Sequence, residues 1–364
     1  MKIAVLGIRG FPGIQGGVEK HCEDLYSRFN KNVRFVVYRR KPYLNAETLS
    51  ANYDNISFVD LPSTRIKGFE AVVHTFLSCV HTIFHRPDVV HVHNMGPGLF
   101  IPLLKLAGLQ VVMTYHSVNY EQKKWGFFSR QLLRLCEKIS LGCADKVIFV
   151  NRFRLEYFSK KIQSKSVYIP NGIVLPEKNE DTTFLQKFGI KPGKYLLCVG
   201  RMSSEKGFDT LIRAANLLEE VEQVVIAGGS DHDTSYFEYL HTLDTNKKVI
   251  FTGLTKRDGL SQLYSNARLY VLPSTTEGFP LVMLEAMSYG LPMVVSDISA
   301  THLIELDKND YAKPADVDSF SQHIRRKLAT TPEGYREKYI LDEYKWERVV
   351  DDTFSVFDSV AKKN

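Results

Sequence analysis

Cysteine is sparse and shows no paired spacing: Cys22, Cys79, Cys136, Cys143 and Cys198 are odd in number, scattered, and nowhere separated as Cys-x-x-Cys. This argues against a disulfide framework or a zinc knuckle and fits a reducing, cytoplasmic setting. Long apolar runs are also missing. MKIAVLG meets Gly7 and Arg9 at once, too soon for a signal peptide, and LFIPLLKLAGLQVVM is broken by Pro102 and Lys105, so no segment is expected to cross a membrane. There is no fibrous repeat, and 44% hydrophobic against 24% charged residues describes a folded globular chain rather than a disordered one. At 364 residues it exceeds what one core usually organises, so two domains are expected.

Acidic residues run short in the first half alone. Residues 1–178 hold 25 Lys+Arg against 13 Asp+Glu, a net of +12, while residues 179–364 hold 22 against 28, a net of −6. A basic half suits an anionic partner such as a membrane surface or a phosphorylated lipid, or else is a solvated basic face. Nucleic acid is not expected, because the basic residues are dispersed and no aromatic-interleaved basic stretch occurs. In KKWGFFSRQLLRLCEK, lysines and arginines stand beside Trp125, Phe127, Phe128 and leucines. That composition suits an interfacial helix at the inner face of a membrane, and equally a domain helix packing inward.

Short β-rich runs alternate with helical patterns. KIAVLG, RFVVYRR, ISFVDLP, DVVHVHN, QVVMTYH, KVIFVN and SVYIPNG read as strands of one domain. YLLCVG, QVVIAGG, KVIFTG, ARLYVLPS and LPMVVSD restart the pattern in a second. Strands alternating with helices imply mostly parallel, doubly wound sheets, so the fold expected is α/β with two Rossmann-like domains facing across a cleft. The junction falls in PNGIVLPEKNED, giving domains 1–172 and 173–345, with 346–364 a terminal helix whose stripe is Trp346, Val349, Val350 and Phe354.

Ligands of open α/β sheets bind beyond the carboxyl ends of the strands, so the loops there carry the chemistry. After the first strand, Gly16 and Gly17 precede a helix, where backbone amides and the helix dipole favour an anionic group, unless the glycines serve only a tight turn. The G-x-G-x-x-G spacing and an acidic residue ending the second strand are both lacking, which disfavours a dinucleotide oxidoreductase. In the second domain, GRMSSEKGFD places Arg201 after a strand and Lys206 before a helix. Together they suit a diphosphate, each cation being worth roughly 4 kcal/mol at 4 Å and an effective dielectric near 20 before desolvation costs. In STTEGFPLVMLEAMSYGLP, a helix starting near Pro280 leaves Glu277 in the preceding loop and Glu285 in the second turn. Two carboxylates beside a diphosphate make sense as acceptors for sugar and ribose hydroxyls, with the amides of Gly278, Phe279 and Leu281 facing the phosphates. Taken alone, capping by Glu277 and exposure of Glu285 are the ordinary alternatives.

GRMSSEKGFDTLIRA, EGFPLVMLEAMSYGLP, IPNG and the N-terminal glycine pair together resemble the retaining, family-four glycosyltransferases of the GT-B fold. The opening RGFPGIQGGVEKHCEDL, with HVHNMGPGLF and KKWG, further resembles a bacterial subgroup in capsule, O-antigen and other surface-polysaccharide synthesis that includes rhamnosyltransferases; HSVNY, residues 116–120, departs from that subgroup's pattern. The resemblance implies a nucleotide-sugar donor and a glycan acceptor of the kind carried on a lipid diphosphate. It assigns Arg201 and Lys206 to the donor diphosphate, Glu285 to the ribose, and Glu277 to the donor sugar beside Phe279. Gly17 goes to the phosphate loop and His116 to the sugar. It also implies that the last helix returns to the first domain, with Trp346 at the crossing.

Departure of a diphosphate builds negative charge that fixed cations stabilise, so front-face attack by an acceptor hydroxyl, with a donor phosphate oxygen taking the proton, is the mechanism expected. No pair of carboxylates is arranged as in a retaining hydrolase. A cofactor is not expected, and neither is a metal: His91 and His93 share one side of a strand and His74, His81 and His85 a helix, but no carboxylate or cysteine completes a cluster. A sugar-nucleotide epimerase of similar fold and a non-catalytic nucleotide-sugar-binding protein remain the alternatives.

Overall fold

Val, Ile and Leu fill the strand interiors on both faces, the pattern of parallel strands covered by helices on either side. In the computed structural model the first sheet comprises β1 (Lys2–Leu6), β2 (Arg34–Arg40), β3 (Ile56–Leu61), β4 (Val89–His93), β5 (Val111–Tyr115), β6 (Lys146–Phe149) and β7 (Ser166–Tyr168). The second comprises β8 (Tyr195–Val199), β9 (Gln223–Ala227), β10 (Val249–Gly253), β11 (Leu269–Leu272), β12 (Met293–Ser296) and the two-residue β13 (Tyr311–Ala312). The structure describes residues 1–14, 16–64, 69–118, 120, 126–229, 234–330, 339 and 342–361. Trp125 and the charged stretch that begins at Pro332 lie outside them.

Strand order is β3-β2-β1-β4-β5-β6-β7 in one sheet and β10-β9-β8-β11-β12-β13 in the other. The strand pairs within each sheet are parallel. These are two parallel-sheet Rossmann-like domains. Residues 1–172 with 342–364 form one unit and residues 173–341 the other. Among the described residues, twelve of the thirteen strands coincide with apolar runs visible in the sequence; β13 is too short to leave a pattern.

Period-two alternation splits the first unit into two cores. Ile3 and Val5 of β1 face one core with Cys22, Leu25 and Tyr26 of the helix Gly17–Tyr26 and with Trp346, Val349 and Phe357 of the terminal helix Trp346–Ala361. Ala4 and Leu6 face the other, with Cys79, Leu104 and Leu141 from the helices Phe69–His85, Ile101–Leu106 and Phe127–Cys143. The terminal helix buries Trp346, Val349, Thr353, Val356, Phe357 and Val360. Phe354, expected on that stripe, is 40% exposed: a position four residues after Val350 drifts off the face that the spacing 346, 349, 353, 356 and 360 keeps inward.

Trp346 lies over Gly172, where a Cβ would collide with the indole. Its ring is 5.9 Å from that of His21 and 5.1 Å from the guanidinium carbon of Arg28. Trp346→Ala is therefore expected to destabilise the first unit by about 3–5 kcal/mol. Chemical denaturation followed by circular dichroism checks this, and an unshifted first transition would refute it.

Candidate active site

Growth of the second sheet reverses between β8 and β11, and at such a switch point the loops leaving the two strands part to leave a crevice at their carboxyl ends. Arg201 follows β8, and Lys206 closes the tight turn Ser204–Lys206. Glu277 lies in the loop after β11, and Glu285 on the helix Leu281–Ser288 to which that loop leads. The two loops are tied together. The Thr275 N–H donates to the Glu205 carbonyl at 2.8 Å, and Gly207, at φ +66°, sits so close to Pro273 that a Cβ would strike its carbonyl oxygen. Only glycine satisfies both demands.

Lys206 and Glu277, assigned separately from sequence to phosphate and sugar, meet each other. Lys206 Nζ donates to Glu277 Oε1 at 2.6 Å, with side chains 19% and 9% exposed, and Ser274 Oγ donates to the same oxygen at 2.8 Å. An ammonium has three donors, so this pairing aims the group without exhausting it. Arg201 stands 3.6 Å from Glu205 at the rim and is more exposed than Lys206. Gly278 and Phe279 lead to Pro280, which occupies the helix cap, and Leu281 is the first helical residue. Glu285 Oε2 accepts from the Tyr264 hydroxyl at 2.9 Å. Burial, together with the Glu285 charge, pushes the Tyr264 phenol well above its usual range, so it stays a donor. Tyr264, stacked on Tyr289, was not singled out from sequence, where it reads as a core position of the helix Arg257–Asn266.

In the first unit the switch lies between β1 and β4. Gly16 caps the helix Gly17–Tyr26, and Glu19 of its first turn folds back so that Oε1 accepts from the Arg9 N–H and from Arg9 Nε, both at 3.2 Å. The glycine pair thus has a carboxylate over it that the sequence reading omitted. A Glu three residues past a loop residue ready to cap was the available cue.

His116, directly after β5, is buried, with Nε2 2.8 Å from His93 Nδ1. From there the chain continues inward: His93 Nε2 is 2.5 Å from the Tyr26 hydroxyl, which is 2.8 Å from His91 Nδ1, and His91 Nε2 is 2.6 Å from Thr114 Oγ1. Burial pushes His91, His93 and His116 well below the usual histidine range, and nearby histidines add to it. A neutral imidazole donates from one nitrogen and accepts at the other, so the tautomer of His116 is coupled to that of His93 beside it. His91 and His93 do share a side, turned toward Tyr26. His81 and His85 stack at 3.9 Å on their helix. Among the described residues, no group of three or more His, Cys, Asp or Glu is placed to hold a metal ion. Of two Asp-x-Asp spacings, Asp316 and Asp318 open the helix Val317–Leu328, where Asp316 caps Ser319 at 2.9 Å, and Asp231 and Asp233 lie outside the described residues.

Residues 15–176 match the family described as Glycosyltransferase Family 4, and residues 180–346 match Glycosyl transferases group 1. The chain is a glycosyltransferase built from these two domains. It is 26% identical to an uncharacterized glycosyltransferase of Methanocaldococcus jannaschii over 98% of each chain. It is 27% identical to the Escherichia coli UDP-Gal:alpha-D-GlcNAc-diphosphoundecaprenol alpha-1,3-galactosyltransferase over 66% of each. Its fold matches sucrose-phosphate synthase from Thermosynechococcus elongatus with a TM-score of 0.85, 19% identity and all of both chains covered. HepE of Anabaena in complex with UDP-glucose matches with a TM-score of 0.79 at 17% identity, over 99% of this chain and 100% of that one.

In this glycosyltransferase Arg201, Lys206, Glu277 and Glu285 fall in the group 1 domain, and Gly16, Gly17 and His116 in the family 4 domain. The buried histidines make the enzyme's stability depend on pH. Burial lowers the folded pKa of His21 from 6.5 to about 4. Between those values the unfolded chain binds the proton and the native one does not, so this stability is complete above the unfolded pKa and is lost as pH falls through the folded one. For His21 alone the loss is about 3 kcal/mol. Urea unfolding at neutral and at mildly acid pH should show the decline, and His21→Gln should flatten it; an equal slope in the variant would refute the assignment.

Proposed function

We propose that the enzyme transfers a sugar, with retention of anomeric configuration and without a metal, from a nucleoside diphosphate to a hydroxyl of a cell-surface glycan carried on a lipid. The observation that carries this reading is the Lys206–Glu277 pair beside Arg201 at the switch point of the second sheet. Cation and carboxylate there suit the two ends of a nucleotide-sugar: Lys206 and Arg201 for the diphosphate, and Glu277 for the sugar hydroxyls while it holds Lys206 in place. Glu285, oriented by Tyr264, suits the ribose hydroxyls. Gly278 and Phe279 lead into a helix that starts at Leu281, and the amides at such an N-terminus favour phosphate oxygens. Two resemblances support the substrate class: HepE binds UDP-glucose, and the Escherichia coli relative is named for a UDP-galactose donor and a diphosphoundecaprenol-linked acceptor. The opening motif adds rhamnose to the donor sugars to be tested.

As the bond between the anomeric carbon and phosphate oxygen breaks, charge gathers on the leaving diphosphate and Lys206 and Arg201 stabilise it. The acceptor hydroxyl attacks from the same face and gives its proton to a phosphate oxygen of the departing group. His116, in the first unit, is assigned to a donor sugar hydroxyl, with its tautomer coupled to that of His93.

Lys206→Ala should lower turnover at saturating donor about 10²–10³-fold; near wild-type turnover would remove the lysine from the mechanism. In a thermal-shift panel of UDP, GDP, ADP, dTDP and their sugars, ligand at a hundredfold over its dissociation constant should add about 2.7 kcal/mol, a shift of a few degrees. Glu285→Ala should abolish the shift. No shift with any nucleotide refutes the donor site, and release of nucleoside diphosphate only when acceptor is present separates transfer from binding.

A further inference from the structure

At the carboxyl end of β2 two successive arginines are buried, Arg39 at 4% and Arg40 at 5% exposure, and their surroundings differ. Arg39 is fully engaged: Nε and Nη2 donate to the two oxygens of Asp60 at 2.7 and 3.0 Å, and Nη1 donates to the Thr48 carbonyl at 2.6 Å. Arg40 is not. Strand alternation sends it the way of Val36 and Tyr38, toward the helix Phe69–His85, whose His81 meets the Tyr38 hydroxyl at 2.8 Å. There its Nε has no hydrogen-bond partner among the described residues, and Nη1 lies 3.6 Å from Glu70 Oε1, too far for a hydrogen bond. The Nε edge of the guanidinium, which can hold a carboxylate or phosphate through two parallel bonds, is therefore unengaged.

One turn on from Glu70, His74 is fully buried, and neither of its ring nitrogens has a hydrogen-bond partner among the described residues. Burial, followed by the Arg40 charge, lowers its pKa to about 4, so the imidazole is neutral and keeps one N–H to donate. Two polar side chains from different elements thus leave donors unmet in one place. Buried donors are met by something, and a buried cation is costly unless a partner of opposite charge completes it. Glu70 does so poorly: its side chain is 28% exposed, and its other oxygen accepts from the Tyr43 hydroxyl at 2.6 Å, which holds it off. Arg40 also belongs to the rim that carries the glycine loop. Its N–H donates to the Arg9 carbonyl at 2.9 Å, and the Arg9 guanidinium, held by Glu19, lies 5.5 Å over the Tyr43 ring and within 2.8 Å of where a Cβ on Gly16 would stand. Lys41, next in the chain, is exposed and tips the local charge positive.

We infer that Arg40 and His74 form a binding site for a phosphoryl group, which takes the Nε edge of Arg40 while Glu70 turns out to solvent. Free phosphate and a phosphoryl group of the acceptor share this chemistry. The place, beside the glycine loop at the carboxyl edge where ligands of such sheets bind, favours the acceptor. That last step rests on the proposed transfer reaction; the site itself does not.

Isothermal titration of the full chain with inorganic phosphate, and with a sugar 1-phosphate against the free sugar, tests it. Glu70→Gln removes the competing charge and should bind phosphate about tenfold more tightly than wild type, a gain that a merely structural ion pair would not give. Arg40→Lys keeps the charge but loses the fork, and should weaken binding about tenfold. Should Arg40→Lys fail to fold, Glu70→Gln decides alone. The gain from Glu70→Gln should persist when Lys206→Ala is added, so failure here is separable from failure of the donor site. A sugar 1-phosphate that binds more tightly than phosphate, with the free sugar inert, assigns the site to the acceptor; equal affinity assigns it to the free anion. No phosphate binding by wild type and Glu70→Gln alike would overturn the inference and leave the two side chains to buried water. Wild-type affinity in both single variants, or a Glu70→Gln gain that Lys206→Ala removes, would overturn it as well.

Discussion

Parallel strand pairing with both faces covered is the constraint on which the rest of this molecule depends. Strands such as VVHVH and LYVL are buried on both sides, so their side chains are committed to packing and the chemistry is displaced to the loops at their carboxyl ends. Within the second unit this puts a cation from one strand's loop against a carboxylate from its neighbour's. Proximity of Lys206 to Glu277, 71 residues later, is a product of β8 lying beside β11.

A second consequence is that polar groups inside the first unit must partner one another. Tyr26, His91, His93, Thr114 and His116 do so in one chain of hydrogen bonds, and the imidazoles stay neutral because water is too remote to solvate their charged forms. The cost of burying five polar side chains is met by complete pairing along the chain. Its outer end is a single histidine at the carboxyl edge.

Strand positions were legible in the sequence because a short β-branched run flanked by glycine or polar residues is a local signal, and Arg201, Lys206, Glu277 and Glu285 because charge interrupting or ending such runs is local too. What could not be read was pairing. Lys206 and Glu277 were expected to serve different parts of a ligand, and nothing in their spacing shows that they touch. Tyr26 and Tyr264 occupy helix positions that look like ordinary core, yet their hydroxyls orient His93 and Glu285. Glu19 and Arg9 likewise bond through the fold of a glycine loop. Phe354 shows the reverse error, an apolar residue assigned inward because the helical register was read one step too generously.

The chain leaves the first unit at Gly172 and re-enters it at Asp342, so the second unit is in effect an insertion in the first. During synthesis, the surface of Gly172 that receives Trp346 is made early and its occupant late, with the whole of residues 173–341 emerging in between. The first unit therefore cannot complete its core from residues 1–172 alone, and closes only after the second has been translated. Core closure in the first unit thus waits on the helix Trp346–Ala361, which is made after every strand of both sheets.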